Sequence, residues 1–323
     1  MSKKQQLENQ RLDEAARAGW LYYVGGKTQD EIAKRLNTSR QSAQRLVALA
    51  MSEGLVKVRL EHPIARCMEL AETIQQRFGL QFCEVVPSVI GDENSTLGLG
   101  QAGASAIERS LKSDSAQTIA FGTGRVLRAC ADELALMNCP QHKIVSLVGN
   151  IANNGEATRY DVAVHIADRV KAQHYPMPLP VIAGSETERE QLHQQAHIAR
   201  IHKLARQADI TFVGIGNLGN TSPLHVDGFI NDNETQSLSS LGATGEIIGW
   251  VYNREGAIVD CEVNRRVTSS KLTLASDKPV VGIAAGMNKK DAILGALRSK
   301  LINSLITNET TAQALLNSSQ EIS

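Results

Sequence analysis

Four glycine-bearing stretches hold the residues of this chain best suited to seat an anion. FGTGR (121–125), VGN (148–150), VGIG (213–216) and AAGMNK (284–289) each close a short apolar run. Glycine lets the backbone approach a ligand closely. Where such a turn opens a helix, its free amides point at whatever docks there, a phosphate or a carboxylate. Arg125 and Lys289 stand at two of these turns, where each would add a charge-assisted bond. Gly122, Thr123, Gly124, Arg125, Gly149, Asn150, Gly216 and Lys289 are therefore candidate ligand-holding residues. One glycine turn at a strand end is commonplace on steric grounds alone; four of them, with two cations, favour a small anionic ligand. GTGR is not GxGxxG, and no GxxxxGK[ST] occurs, which argues against dinucleotides and nucleoside triphosphates.

A second set of residues lies in TQDEIAKRLNTSRQSAQRLVALAMSEGLVKVRL (28–60). Thr28 and Glu31 have the spacing of a capping box. Ile32, Ala33 and Leu36 give the helix they open an apolar face. Asn37 and Thr38 break it, and Ser39 reads as the N-cap of another. Ala43, Leu46, Val47 and Ala50 fall at i, i+3, i+4 and i+7, so Arg40, Gln41, Gln44 and Arg45 share the opposite face. Those are side chains that reach guanine, adenine or phosphate in a major groove. Ser39 and Ser42, with Thr28 and Gln29 at the start of the preceding helix, complete the candidate DNA contacts. Many capped helix pairs with a polar face bind nothing; here the face from 39 to 51 carries no acid at all.

The elements that must position this face are a helix over 8–24, with Leu12, Ala15, Ala16, Trp20 and Tyr23 turned inward, and a strand over 55–60 after Gly54. Three helices and a strand make a winged helix-turn-helix, expected over 1–61. Net charge is zero over 323 residues, but residues 1–66 hold 12 Lys/Arg against 7 Asp/Glu and the remainder 22 against 27. A basic head on an acidic body suits a polyanionic partner. One winged helix reads only a few base pairs, so a homodimer or homotetramer is expected.

Residues 62–323 form the second expected domain, opened by a linking helix over 62–79 whose apolar residues serve either the domain core or pairing with a second copy. Strands at 84–86, 118–121, 144–148, 210–213 and 280–284 alternate with helices at 95–111, 124–137, 160–172, 186–207 and 288–301. That alternation predicts an α/β domain, a doubly wound parallel sheet whose ligands bind at the carboxyl ends of the strands. His193, His197 and His202 read as an exposed polar face, not a metal site, since no carboxylate or thiol partner is evident. Asp161 and Asp168 read as solvated charges, and Trp250 and Tyr252 as packing. The five cysteines (67, 83, 130, 139, 261) lack CxxC spacing, so neither a disulfide framework nor zinc is expected. No cofactor is called for. No apolar run reaches the length of a membrane span, and MSKKQQLENQ lacks the core of a signal peptide, so the cytoplasm is the expected compartment.

Over nearly its whole length the chain resembles the SorC family of bacterial sugar-binding transcriptional regulators. GKTQDEIAKRLNTSRQSAQRLV is similar to that family's DNA-binding segment, and GTGRVL (122–127) to its glycine-arginine loop. GATGEIIGWVYN (242–253) resembles its G-x-x-G-D-I-x-G-x-x-x-D stretch. AAGMNKKDAILGALRSKLINSLITNETTAQALL (284–316) is similar to its C-terminal signature, with an I-N-x-L-[IV]-T turn and a closing helix. The resemblance implies an effector domain akin to sugar-phosphate isomerases and deaminases. It implies a regulator of a carbohydrate or polyol catabolic operon, with operator DNA and a sugar, sugar phosphate or polyol as partners. It also implies that the 122–125 loop holds a phosphate end while Glu246 and Lys289 face sugar hydroxyls or phosphate. Where the family usually has Asp, Thr and Gly, this chain has Glu246, Val126 and Ala285. The alternative is an isomerase- or deaminase-like enzyme with an added basic domain. That reading needs a poised acid/base pair, and these loops offer no evident second acid or histidine beside Glu246 and Lys289.

Overall fold

Helix caps and close-packed small residues organise the first part of the chain. The computed structural model describes residues 3–56, 64–89, 91–92, 95–152, 154–158, 161–271 and 273–318, and divides into two compact units, Met1–Pro63 and Ile64–Ser323. The first contains α1 (Lys3–Tyr23), α2 (Gln29–Arg35) and α3 (Arg40–Ser52). Thr28 caps α2 in a full capping box: its hydroxyl accepts the Glu31 amide at 3.3 Å, and its own amide donates to the Glu31 carboxylate at 2.8 Å. Ser39 caps α3 by accepting the Ser42 amide at 3.1 Å. Ala18, Ile32, Ala33, Ala43 and Val47 make a small core.

Trp20 and Tyr23, expected to face inward, do not: Trp20 is 58% exposed and Tyr23 39%. The reason is close helix approach. A Cβ on Gly19 would stand 2.8 Å from that of Ala50, so α1 meets α3 through Ala15, Ala18 and Gly19 and leaves no room for an indole. The Trp20 ring instead lines an open groove with Leu21, Val24, Leu36 and Leu55. Of the expected strand over 55–60, Leu55 and Val56 form a bend and 57–60 lie outside the described residues.

The second unit runs α4 (Ala65–Phe78), β1 (Phe82–Val86), α5 (Leu99–Leu111), β2 (Thr118–Phe121), α6 (Arg125–Glu133), β3 (Lys143–Ser146), α7 (Val162–Val170) and β4 (Gln173–Tyr175). It continues with α8 (Glu186–Gln194), α9 (Ala196–Arg206), β5 (Ile210–Gly214), β6 (Gly216–Asn217), α10 (Pro223–Val226), α11 (Asp232–Ser240), β7 (Ala243–Ile247) and β8 (Trp250–Asn253). The last part holds α12 (Glu262–Arg266), β9 (Val280–Ile283), a 3-10 turn (Met287–Lys289), α13 (Lys290–Arg298), β10 (Ser304–Asn308) and α14 (Glu309–Ser318).

Seven strands form a parallel sheet in the order β1-β10-β9-β5-β2-β3-β4, and β6-β7-β8 form a small antiparallel sheet. Successive residues of the central strands feed opposite cores. Ile119, Phe121, Ile144 and Phe212 pack with α5, α6 and α7, while Ala120, Val145 and Val213 pack with the apolar residues of α4, α9, α13 and α14. Strands covered on both faces read as continuous apolar runs. The connections that step from β1 through β2 and β3 to β4 run over one face. Those that return through β5, β9 and β10 run over the other, the arrangement right-handed crossovers require. Winding reverses between β2 and β5.

Three local expectations are corrected. The helix over 186–207 is two helices, broken where Gln195 takes an extended conformation (φ −63°, ψ 130°) with no Gly or Pro to announce it. The INSLIT stretch, expected as a turn, supplies β10, whose five residues are all buried between β1 and β9. His202 is not on a polar surface: it is buried, bonded to the Ser270 hydroxyl at 2.7 Å, with its ring 4.5 Å from that of half-buried His193. Burial pushes both imidazoles down, His202 to about 4. Among the described residues no helix is long and apolar enough to cross a membrane, and no three His, Cys, Asp or Glu are grouped to hold a metal.

At the reversal point the Phe121 and Phe212 rings stack 5.4 Å apart, both fully buried. Phe212→Ala should lower stability by about 3–5 kcal/mol, because the surrounding strands relax only partly into the space left behind. Equilibrium urea unfolding measures the loss.

Candidate functional site

The gap at the β2/β5 reversal opens into a cleft of about 760 Å³, part of it open to solvent. Six segments meet there. After β2, Gly124 caps α6 with φ 121° and ψ 167°, a conformation open essentially to glycine alone. After β9, Gly286 does the same (φ 122°, ψ 142°) at the start of the turn that ends in Lys289. Both turns stand at the carboxyl ends of interior strands, and Thr123, Arg125 and Lys289 line the cleft there. After β3, Gly149 packs so tightly on the Pro180 backbone that a Cβ would lie 2.8 Å from its carbonyl carbon. After β5, Gly216 pairs with Glu246 of β7, and a Cβ there would lie 2.9 Å from the carboxylate carbon Cδ. Glycine at 216 therefore makes room for the Glu246 side chain.

Glu246 is fixed by its own hairpin. Ile248 (φ 49°) and Gly249 (φ 85°) form the two-residue turn between β7 and β8, and the Gly249 amide donates to Glu246 Oε2 at 2.8 Å. A sixth segment closes the cleft. Ser222 caps the short α10, Asp227 follows it, and Gly228 (φ 75°) turns the chain so that Phe229 points back in. Arg125 binds the Asp227 carboxylate with both terminal nitrogens, at 2.8 and 3.4 Å.

Of the residues nominated from the sequence, Thr123, Gly124, Arg125, Gly149, Gly216, Glu246 and Lys289 line this one cleft. Gly122 and Asn150 do not. The Gly122 amide bonds the Phe212 carbonyl at 2.8 Å and so ties β2 to β5, and the Asn150 side chain donates to Asp161 at 3.3 Å. Asp227, Leu224 and Phe229 were missed. SPLHVDGF signals a capped turn and a D-G reversal, but nothing local says that it folds over the cleft.

Burial pushes the Glu246 carboxyl above the ordinary carboxylate range, partly offset by the Gly249 amide and the Lys289 charge. Burial likewise lowers Lys289, with Glu246 opposing and Arg125 reinforcing the shift. The Lys289 amide bonds the Gly286 carbonyl at 3.0 Å, while its ammonium has no hydrogen-bond or ion-pair partner within 4 Å among the described residues. The cleft thus offers one open ammonium, one carboxylate acceptor and one guanidinium already paired, over a floor of glycine loops. That set suits a small polyhydroxylated ligand: hydroxyls bond both to a carboxylate and to an ammonium.

In the first unit, Arg40, Gln41, Gln44 and Arg45 are all exposed on α3, opposite Ala43 and Val47. Arg40 Nε lies 3.7 Å from Asp30. The Thr28, Ser39 and Ser42 hydroxyls are engaged in caps, Ser39 and Ser42 being 3.0 Å apart, and Gln29 is half-buried.

Comparison with known proteins places these two units. Residues 62–317 match a family described as "Putative sugar-binding domain", and residues 18–63 match the MarR family. The erythritol catabolism regulatory protein EryD of Brucella abortus is 33% identical over 303 residues, covering 94% of this chain and 96% of that one. The sorbitol operon regulator of Klebsiella pneumoniae is 28% identical, over 92% and 95% of the two chains. The crystal structure of full-length SorC from Klebsiella pneumoniae superposes with a TM-score of 0.69 at 26% identity, covering 94% of this chain and 99% of that one.

Folding raises the Glu246 pKa, so the folded state holds that proton more tightly than the unfolded chain does. The group's contribution is full at low pH and is lost as pH rises through the raised value. Glu246→Gln should therefore melt higher than wild type at pH 7 without ligand. The difference should shrink as pH falls from the raised value toward ~4.5 and be gone below it, where the unfolded side chain is protonated as well. Thermal melts across pH test this.

Proposed function

We propose that this chain, which belongs to the SorC family of sugar-binding transcriptional regulators, binds operator DNA through residues 1–61 and a small carbohydrate or polyol through the cleft of residues 62–323. The bound effector sets the affinity for DNA. The observation that carries this reading is the convergence of Arg125, Glu246 and Lys289, from three separate loops, on a single cleft. Glu246 and Lys289 bond ligand hydroxyls, and the Gly124 turn with Arg125 receives an anionic end where the ligand has one. The relatives regulate erythritol catabolism and a sorbitol operon, which points to an operon for sugar or polyol catabolism here too. They are regulators rather than enzymes, and the acid nearest Arg125, Asp227, is held in an ion pair rather than poised for proton transfer.

On the DNA side, Arg40, Gln41, Gln44 and Arg45 enter the major groove, with Ser39, Ser42, Thr28 and Gln29 at the backbone. A homodimer or homotetramer in the cytoplasm supplies the paired half-sites. Effector and operator then affect each other's affinity by the same factor.

Arg40→Ala and Gln44→Ala should each weaken specific operator binding by roughly 1–3 kcal/mol without unfolding the protein, since both side chains face solvent. Gel-shift or anisotropy titrations decide; wild-type affinity in both variants would mean that α3 is not the reading helix. For the cleft, Lys289→Ala should still bind operator but lose roughly thirtyfold in effector affinity, the order expected when one charged partner leaves a desolvated pair. Calorimetry with the sugar or polyol selected by a thermal-shift screen measures it. Equal affinity in both proteins would remove Lys289 from the site.

A further inference from the structure

The two cations of the cleft are treated differently by the chain around them. The Lys289 ammonium has no hydrogen-bond or ion-pair partner among the described residues, whereas Arg125 is gripped by Asp227 in a two-pronged ion pair. Asp227 is not needed where it stands to shape its own segment. Ser222 caps α10, the Asp227 amide bonds the Pro223 carbonyl at 2.9 Å, and Gly228 makes the reversal. Its carboxylate, only 22% exposed, has no partner but Arg125 among the described residues. The Arg125 side chain is 51% exposed, and both residues line the cleft. A carboxylate set on the two terminal nitrogens of an arginine occupies the position that a phosphate or carboxylate of a ligand would take, because the fork geometry is the same for all of them.

We propose that Asp227 is a specificity-determining residue that holds the anion seat on Arg125 in the unliganded protein, so that an anionic ligand enters only by exchanging its own anion for this carboxylate. The inference rests on the reading of the cleft as the effector site. A neutral polyol leaves the pair intact and bonds Glu246 and Lys289. A phosphorylated carbohydrate must break one charge-assisted pair to make another, so it gains only the difference and must draw the rest from its hydroxyls. Inorganic phosphate, which has no hydroxyl-bearing body, gains least of all. Asp227 thereby keeps small free anions from occupying the site and acting as false signals.

The sign of the test is opposite to that of an ordinary binding residue. Inorganic phosphate is titrated calorimetrically, at constant ionic strength, into the full-length wild type, Asp227→Asn, Asp227→Ala and the double variant Asp227→Asn/Arg125→Ala. The single variants should bind phosphate about fivefold more tightly than wild type, the scale of a partly exposed ion pair released from competition. The gain should vanish in the double variant. A merely structural role for Asp227 would leave affinity unchanged or weaken it. Arg125-dependent phosphate binding that is no tighter in either single variant would overturn the proposal and leave the anion seat standing. Absence of any Arg125-dependent phosphate binding would overturn the seat and the proposal together. Two single variants are used so that one misfolded protein does not decide the result.

Discussion

The stacking of Phe121 on Phe212 holds together the two strands between which the sheet changes direction. The cleft of the second unit follows from that join. Because β2 hands the chain to α6 on one face and β5 hands it to the other, their following loops must part, and a crevice opens above the ring pair. The Gly122 amide, bonded to the Phe212 carbonyl, extends the join one residue toward the cleft. The Ile248 methyl Cγ2 rests where a Gly122 side chain would begin, 3.0 Å from that point, so the β7–β8 hairpin is seated on the same join. Glu246 is therefore positioned by contacts that trace back to two phenylalanines beneath the site.

Holding the site open works against stability. A β-branched residue at φ 49° is strained, and Ile248 keeps that conformation because its side chain is locked in the core. Glu246 and Lys289 are each shifted toward their neutral forms by burial and are only partly compensated by one another. These costs make sense for a preformed site: the charges and strain are set before a ligand arrives, so binding need not order them.

The N-terminal caps and the apolar spacing of α2 and α3 were legible in the sequence because they act within four residues. The central strands and four of the six cleft segments were legible too, since apolar runs ending in glycine mark strand ends directly. What failed was whatever depended on distant partners. Trp20 reads as a core residue by type and faces out because Gly19 and Ala18 bring the helices too close for it. β10 is covered on both sides and so has no alternation to betray it, while β6 is two residues long. Asp227 matters only because a segment over a hundred residues from Arg125 in sequence folds back to meet it, and no local pattern encodes that meeting.

The partnership of β1 with β10 sets an order of events during synthesis. Phe82 pairs with Ser304, and β10 also separates β1 from the rest of the sheet. A ribosome adding roughly 5–20 residues per second needs on the order of ten to forty-five seconds to travel from one of these strands to the other. The first unit, whose sequence ends before β1 begins, has been made in full by then. For that interval Cys83, Val85 and Val86, all buried in the finished protein, have no partner strand. The nascent chain thus carries the first unit entire while the second still waits for β10, the strand that must slot between β1 and β9 before its sheet can close.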